Sequence, residues 1–278
     1  MDTDINFPPF DVEFKELNQF ILMLVDEYNS EKIKSWDDLD KKVKAFYTPE
    51  RMDTIESKAS GWKKMASYSN GITVTHVTCA FLGMLMLPEF QTLSAEQQQL
   101  AKWIILFHDI DKFHLRGKKD TMHAFRSGVV AANIMPGIGF QVTNRYKELI
   151  HSWNELTNNA FTMEDEKSTQ RPDNSRLPEI LSGIDRLFGK NTPACLIVKT
   201  ILLHISLNVD KNYPTPSPLT ETETKQFINQ DLFPLLRVMM LSDNEGWSMF
   251  DPEVRVQQRN DTLRFFAHVE SLVNKERN

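Results

Sequence analysis

Residues 100–113 read LAKWIILFHDIDKF and predict a buried helix that ends on a histidine–aspartate pair. Four residues recur at the i, i+3, i+4 and i+7 spacing of one helical face: Ala101, Ile104, Ile105 and His108. His108 is therefore expected to point inward, with Asp109 at the edge of the buried face. A charge near a core costs free energy unless it is paired or coordinated, so the pair predicts a functional role for these side chains.

Helical periodicity extends over most of the 278 residues, whereas alternating strand patterns are scarce. The sequence predicts an all-α fold with one main helical domain over residues 71–250. Residues 1–70 are expected to form a helical extension packed on that domain, and residues 251–278 a C-terminal helix. The predicted helices are Asp11–Asn29, Trp36–Phe46, Pro49–Tyr68, Ile72–Met86, Ala95–Asp109, Met122–Ile134, Thr143–Leu156, Pro178–Phe188, Pro193–Asn208, Glu221–Asn229, Leu232–Leu241 and Pro252–Lys275.

Local signals predict where some of these helices begin and end. Ser94 and Gln97 form a capping-box pattern at the start of the helix that leads to His108. The pair Pro136-Gly137 predicts the end of the helix that begins near Met122. Two polar or proline-rich stretches, Asn158–Arg176 and Asp210–Thr220, are predicted to be surface connections.

Composition narrows the class of protein. With 41% hydrophobic and 25% charged residues, the chain is predicted to be globular. Its apolar runs are shorter than the roughly 18 residues of a membrane span, and its acidic start is not typical of a signal peptide. Cys79 and Cys195 lie in apolar helical stretches, which favours free thiols in a cytoplasmic protein. The net charge of −6 disfavours extensive nucleic-acid binding.

Three further side chains are predicted to face the interior from other helices. Asp243 shares a helical face with Leu236, Met239 and Met240. His76 lies within an apolar helix, and His123 begins a helix whose matching face is small or apolar. Imidazole and carboxylate ligands together suit divalent metals such as Zn, Mn, Fe and Co. The sequence therefore predicts a metal site.

The order of these residues resembles the HD superfamily of metal-dependent phosphohydrolases. The most specific part is Phe107–Phe113, which is similar to that family's His-Asp-Ile/Leu-Gly-Lys segment at the end of a helix. The resemblance covers residues of about 70–250 and implies that one metal is bound by His76, His108, Asp109 and Asp243. Three departures are that Asp111 replaces a small residue before Lys112, that no Gly-Tyr-Pro follows His151, and that the gap from His151 to Asp243 is long.

Members of this superfamily with two metals add two histidines after the His-Asp pair. By that resemblance, His123 and His151 would bind the second metal, with Asp109 bridging the two ions. His204 shares the apolar stripe of Ile197, Thr200 and Ile201, so it is a possible substitute for His151. The metal identity stays open among Mn, Fe, Zn, Co, Ni and Mg.

The resemblance implies hydrolysis of a phosphomonoester or phosphodiester, such as a nucleotide, by metal-activated water. Asp109 and Lys112 are expected to be catalytic, and Lys112, Arg116 and Arg126 to bind a small phosphorylated substrate, because all three are basic and close in sequence to the metal segment. No membrane partner is expected, and the oligomeric state stays open.

Two other functions use the same residues. Some two-metal members of the superfamily are diiron oxygenases, and the ligand order resembles theirs too. A non-catalytic signalling module that retains the fold, with the metal as a structural clamp, is the third hypothesis.

Overall fold

The computed structural model describes residues 5–67, 71–113, 120, 122–159, 174–207 and 219–274. Within these ranges the regular structure is helical throughout, which confirms the predicted all-α class. The α-helices are α1 (Phe10–Glu13), α2 (Lys15–Asn29), α3 (Trp36–Phe46), α4 (Pro49–Lys58), α5 (Trp62–Ser67), α6 (Ile72–Met86), α7 (Pro88–Gln91), α8 (Ala95–Phe107), α9 (His123–Ile138), α10 (Tyr146–Asn159), α11 (Leu177–Phe188), α12 (Pro193–Leu203), α13 (Glu221–Phe227), α14 (Leu232–Ser248) and α15 (Pro252–Asn274).

Five of these helices, α6, α8, α9, α12 and α14, form the interior that carries the candidate site. Helix α6 is buried continuously from Thr73 to Met84, as expected for a helix that is apolar on all sides. It packs along α14, while α12 contacts α8, α9 and α14. The predicted capping box is present: Ser94 accepts a hydrogen bond from the backbone of Gln97, and the Gln97 side chain accepts one from the backbone of Ser94.

Glycines allow α6 and α14 to approach each other closely. A Cβ atom at Gly246 would lie 2.6 Å from the imidazole of His76, and one at Gly83 would lie 2.4 Å from Cβ of Glu245. Neither distance is compatible with a real side chain at that position. Gly246 therefore makes the space in which the His76 ring lies.

The N-terminal helices pack directly against the interior ones. Helices α2 and α3 contact α6, and α1 contacts α8. The indole Nε1 of Trp103 on α8 donates a hydrogen bond to the carbonyl of Pro8 (2.9 Å), and Lys102 pairs with Asp11 (2.5 Å). At the other end of the chain, α15 packs on α13 and α14. Among the described residues, none of the helices combines the length and apolar character needed to cross a bilayer.

The predicted stop at Pro136-Gly137 is wrong. Helix α9 continues through both residues to Ile138 and ends at Gly139, whose φ of 113° is left-handed. A proline inside a helix cannot donate the hydrogen bond to the carbonyl four residues earlier, here that of Ala132. The hydroxyl of Tyr146 donates to that carbonyl instead (2.9 Å), so the helix accommodates Pro136 without leaving the group unpaired.

Other predicted boundaries also differ from the structure. The predicted helix Pro49–Tyr68 is divided into α4 and α5 near Gly61, which has a φ of 104°. The first predicted helix is divided into α1 and α2 at Phe14. Helix α14 extends to Ser248, beyond the predicted end at Leu241, so Asp243 lies within the helix. Most of the two predicted surface connections lies outside the described residues.

Candidate metal centre

Four side chains that are far apart in the sequence meet in the interior. His76 comes from α6, His108 and Asp109 follow the end of α8, and Asp243 comes from α14. One ligand atom from each lies within 4.8 Å of the others. The side chains of His76, His108 and Asp109 are fully buried, and that of Asp243 is 27% exposed.

The distances between these atoms are those expected around one cation. Nε2 of His76 lies 2.9 Å from Oδ1 of Asp243 and 3.4 Å from Oδ2 of Asp109. Nε2 of His108 lies 3.6 Å and 3.5 Å from the same two oxygens. Ligands about 2.1 Å from a shared ion are about 3–3.5 Å from each other. The four side chains are therefore spaced as a ligand set.

A second group shares one residue with the first. Ligand atoms of Asp109, His123 and His204 also lie within 4.8 Å of one another. Oδ1 of Asp109 is 3.2 Å from Nε2 of His123, whereas Oδ2 faces His76 and His108. Asp109 therefore presents a different oxygen to each group, as a bridging carboxylate does.

Three of the histidines make the same hydrogen bond to the backbone. Nδ1 of His108, His123 and His204 lies 2.6–2.8 Å from the backbone carbonyl three residues earlier, that of Ile105, Asp120 and Ile201 respectively. A carbonyl oxygen only accepts, so Nδ1 carries a proton in each ring. Hydrogen bonds of this kind orient metal-binding histidines and direct Nε2 at the ion.

Several buried polar atoms in the centre have no hydrogen-bond partner among the described residues. They are Nε2 of His108, Nε2 of His204 and Oδ1 of Asp109, together with Nδ1 of His76. Leaving a buried polar atom unpaired costs about 1–3 kcal/mol. The first three point into the two ligand groups, so divalent cations with these N and O ligands would satisfy them. The residues present therefore fit a metal centre.

The C-terminal ends of two helices add negative electrostatic potential at the metal centre. The backbone N–H of His108 closes the last turn of α8 on Ile104, and that of His204 closes the last turn of α12 on Thr200. The C-terminus of a helix carries partial negative charge from its unpaired carbonyls and favours a nearby cation. Both helices end on a candidate ligand, so both contribute this effect at the metal centre.

The surroundings of the two carboxylates favour their ionised form. Burial alone would raise the pKa of Asp109, but its electrostatic interactions with His108, Lys112, His123 and His76 hold that pKa well below its usual range. Burial opposes ionisation of Asp243 in the same way, and its pKa is lowered by the imidazoles of His108 and His76.

The histidines titrate differently from one another. Burial lowers the pKa of His204 to about 3, and burial together with Lys112 lowers that of His123, so both rings favour the neutral form that binds metals. Burial also disfavours protonation of His108, but the carboxylates of Asp109 and Asp243 outweigh it and raise its pKa.

Lys112 contacts the metal centre directly. Its Nζ lies 2.7 Å from Oδ2 of Asp109, and the side chain is 9% exposed. A buried ammonium group at this position supplies a positive charge next to the ligand carboxylate. The structure thus places this predicted substrate-binding residue at the site.

Arg126 is positioned differently from Lys112. Its guanidinium pairs with the carboxylate of Asp120 and donates to the backbone carbonyl of Asp111 (3.1 Å). The carbonyl of Asp120 in turn accepts from His123, so Arg126 stabilises the residue that orients this ligand. Asp111 also pairs with Lys64 at 3.1 Å. Arg116 lies outside the described residues.

The prediction that His151 binds the second metal is wrong. Its side chain is 85% exposed and lies 3.4 Å from Glu155 on the same helix, α10. Trp153 and Thr157 form the buried face of that helix, and residue 151 is two positions, or about 200°, away from Trp153. His204, the predicted substitute, lies in the second ligand group instead.

Three contributors to the site were not predicted. Asp120 orients His123 through a backbone carbonyl, which leaves no side-chain pattern in the sequence. Gly246 makes room for His76, and its only signal is its position one turn after Asp243 on α14. Trp247 lies four residues after Asp243 and stacks on His76, with ring centroids 4.1 Å apart.

No protein-family model, curated protein or solved structure matches this chain.

Replacing His204 by alanine is expected to remove the second cation and leave the first, because only the second ligand group contains His204. His151→Ala is the matched control, since it removes an exposed imidazole. Elemental analysis of protein purified without chelator would measure metal per chain for each variant. Equal loss from both variants, or loss from His151→Ala alone, would contradict the assignment of His204.

Metal binding is expected to displace protons from His108, because the carboxylates of Asp109 and Asp243 raise the pKa of its ring and a ligating imidazole must be neutral. The affinity for the metal should therefore rise with pH and fall as the pH is lowered. Calorimetric titration with Mn(II) in two buffers of different ionisation enthalpy measures the protons released. Identical heats in both buffers would show that His108 binds no proton that the metal displaces.

Proposed function

We propose that this protein is a metal-dependent phosphohydrolase of the HD type that cleaves a phosphomonoester or phosphodiester. The observation that carries the proposal is the buried Asp109 carboxylate, which is shared by two groups of imidazoles and contacts a buried lysine. This combination offers places for two cations and a positive charge beside them. Phosphoryl transfer is a reaction in which positioning and charge stabilisation supply most of the catalysis.

Each of the two ligand groups would bind one cation. His76, His108, Asp109 and Asp243 would hold one, and Asp109, His123 and His204 the other. Cations bound there would supply Lewis-acid chemistry, acidifying water and polarising a phosphoryl oxygen. The hydrogen bonds from Nδ1 of three of the histidines fix the ring orientations before a substrate arrives.

Lys112 would provide a positive charge that attracts the phosphate group of a substrate. It is the nearest ammonium group to Asp109 among the described residues, and its low exposure strengthens its electrostatic effect. A phosphoryl group beside Asp109 would accept a hydrogen bond from Nζ of Lys112. The net charge of the chain is −6, so this attraction for an anion is local.

The exposure of the ligands indicates how a substrate reaches the centre. Among the four residues of the first group, Asp243 is the one with an exposed side chain, at 27%. The other three are fully buried. A substrate therefore approaches from the side of α14 on which Asp243 lies, and the rest of the centre is shielded from bulk water.

The test is phosphate-ester hydrolysis by protein loaded with Mn(II) or Co(II). We expect release of 4-nitrophenol from 4-nitrophenyl phosphate or its bis-ester, lost in Asp109→Asn and retained in His151→Ala. Lys112→Met should keep its metal and lose about 100-fold or more in kcat, the size expected for removing one stabilising donor from a transition state.

Two results would contradict this proposal. Oxygen uptake by iron-loaded protein without ester hydrolysis would favour a diiron oxygenase, since a carboxylate-bridged pair of imidazole-bound metals also fits that chemistry. Protein that binds metal and unfolds without it, yet hydrolyses neither ester with any metal, would favour a non-catalytic module in which the ion stabilises the fold.

A further inference from the structure

One candidate ligand, His76, is held differently from the other three histidines of the centre. In those three, Nδ1 meets a backbone carbonyl, whereas Nδ1 of His76 has no hydrogen-bond partner among the described residues. Nε2 of His76 faces Asp243 and Asp109, so a cation in the first group would be bound through Nε2. Some other contact must therefore keep this ring directed at the cation.

The His76 ring is fully buried and is packed against α14 at its face and at one edge. The indole of Trp247 lies on the face, with ring centroids 4.1 Å apart and planes inclined by 18°. At the edge, a Cβ atom at Gly246 would lie 2.6 Å from Nδ1, so this nitrogen faces the backbone of α14. These two contacts restrict the side-chain torsions of His76.

Trp247 is itself held in place by further contacts. The ring of Trp36, from the first turn of α3, lies 6.0 Å from that of Trp247 and is inclined to it by 6°. Nζ of Lys112 lies 5.6 Å from the centroid of the Trp247 ring. Trp247 also follows Asp243 by four residues on α14, so one turn of this helix carries both a ligand and the ring that covers another ligand.

Stacking of this kind favours a metal-bound imidazole over a free one. An imidazole that donates its lone pair to a cation becomes electron-poor, and the face of an indole attracts positive charge. Aromatic pairs also contribute beyond the apolar area that they bury. The indole of Trp247 would therefore stabilise the His76 ring more strongly once a cation is bound to Nε2.

We propose that Trp247 is a positioning residue for the first cation: its indole, stacked on His76, takes the place of the backbone hydrogen bond that orients the other three histidines. The inference rests on the first ligand group and is independent of the reaction carried out there. It assigns a role in metal binding to a residue that contributes no ligand atom.

The test compares two replacements of the same ring. Trp247→Phe keeps an aromatic face on His76, whereas Trp247→Leu keeps an apolar side chain without one. Both are made in the His204→Ala chain, in which only the first ligand group is complete. Zn(II) affinity is measured by competition with a chromophoric chelator. We expect the leucine variant to bind about 3- to 10-fold more weakly, the effect of one aromatic pair, and the phenylalanine variant to stay within about 2-fold of the parent.

Trp36→Leu is the matched control, because it removes the other indole of the stack, which lies against Trp247. Its Zn(II) affinity should stay within about 2-fold of the parent, as for an ordinary substitution outside the site. Trp247 is 46% exposed, so its truncation should leave the helical fold intact. Thermal unfolding of every metal-free variant separates a weakened fold from a weakened ligand.

A second measurement needs no tryptophan variant. Proton NMR of the Zn(II)-loaded natural sequence with isotope-labelled imidazoles distinguishes an N–H that donates a hydrogen bond from one that does not, because a hydrogen bond to a carbonyl shifts the proton downfield. We expect the Nδ1 proton of His76 to lie upfield of those of His108, His123 and His204. The ring current of the stacked indole adds to this upfield shift.

Several results would overturn the inference. Parent-like affinity in Trp247→Leu would do so, as would equal losses in Trp247→Leu and Trp247→Phe, or in Trp247→Leu and Trp36→Leu. An Nδ1 proton of His76 as far downfield as the other three would show that a hydrogen bond orients the ring. Absence of ester hydrolysis would leave the inference standing, whereas a parent chain that binds no Zn(II) would refute the first ligand group and the inference with it.

Discussion

The rest of the centre depends on one constraint: the carboxylate of Asp109 is buried away from water. Burying such a charge costs several kcal/mol unless positive charge and hydrogen bonds compensate for it. Here the compensation comes from Lys112 and from imidazoles on α6, α9 and the turns after α8 and α12. Cations between these groups would satisfy the carboxylate and the unpaired ring nitrogens together.

The helical scaffold serves this arrangement in specific ways. Gly83 and Gly246 allow α6 and α14 to pack closely enough for His76 to reach Asp243. Helices α8 and α12 both end at a ligand, which directs their negative ends at the centre. On the open side, α14 presents Asp243 and Trp247 one turn apart. The same helix therefore contributes both a candidate ligand and the indole ring that stacks on His76.

The sequence predicted those parts of the site that depend on local pattern. Two of these patterns are visible in the sequence alone: an apolar stripe that ends in His108, and the carboxylate of Asp243 on an apolar helical face. Both place a polar side chain where its burial needs a compensating partner. Whether His151 or His204 belongs to the second ligand group depended on which of the two side chains faces the interior. His204 lies on an apolar stripe, whereas His151 was favoured by its spacing from His123 and points to solvent. The continuation past Pro136 depended on a hydroxyl from another helix, that of Tyr146, which no local pattern reveals.

The central claim is that the four side chains of the first group surround a cation. Anomalous diffraction from crystals grown with Mn(II) tests it most directly. We expect a strong peak within about 2.0–2.3 Å of Nε2 of His76 and His108 and of carboxylate oxygens of Asp109 and Asp243. A map without such a peak, in which Lys112 and a protonated His108 alone balance the two carboxylates, would contradict the claim.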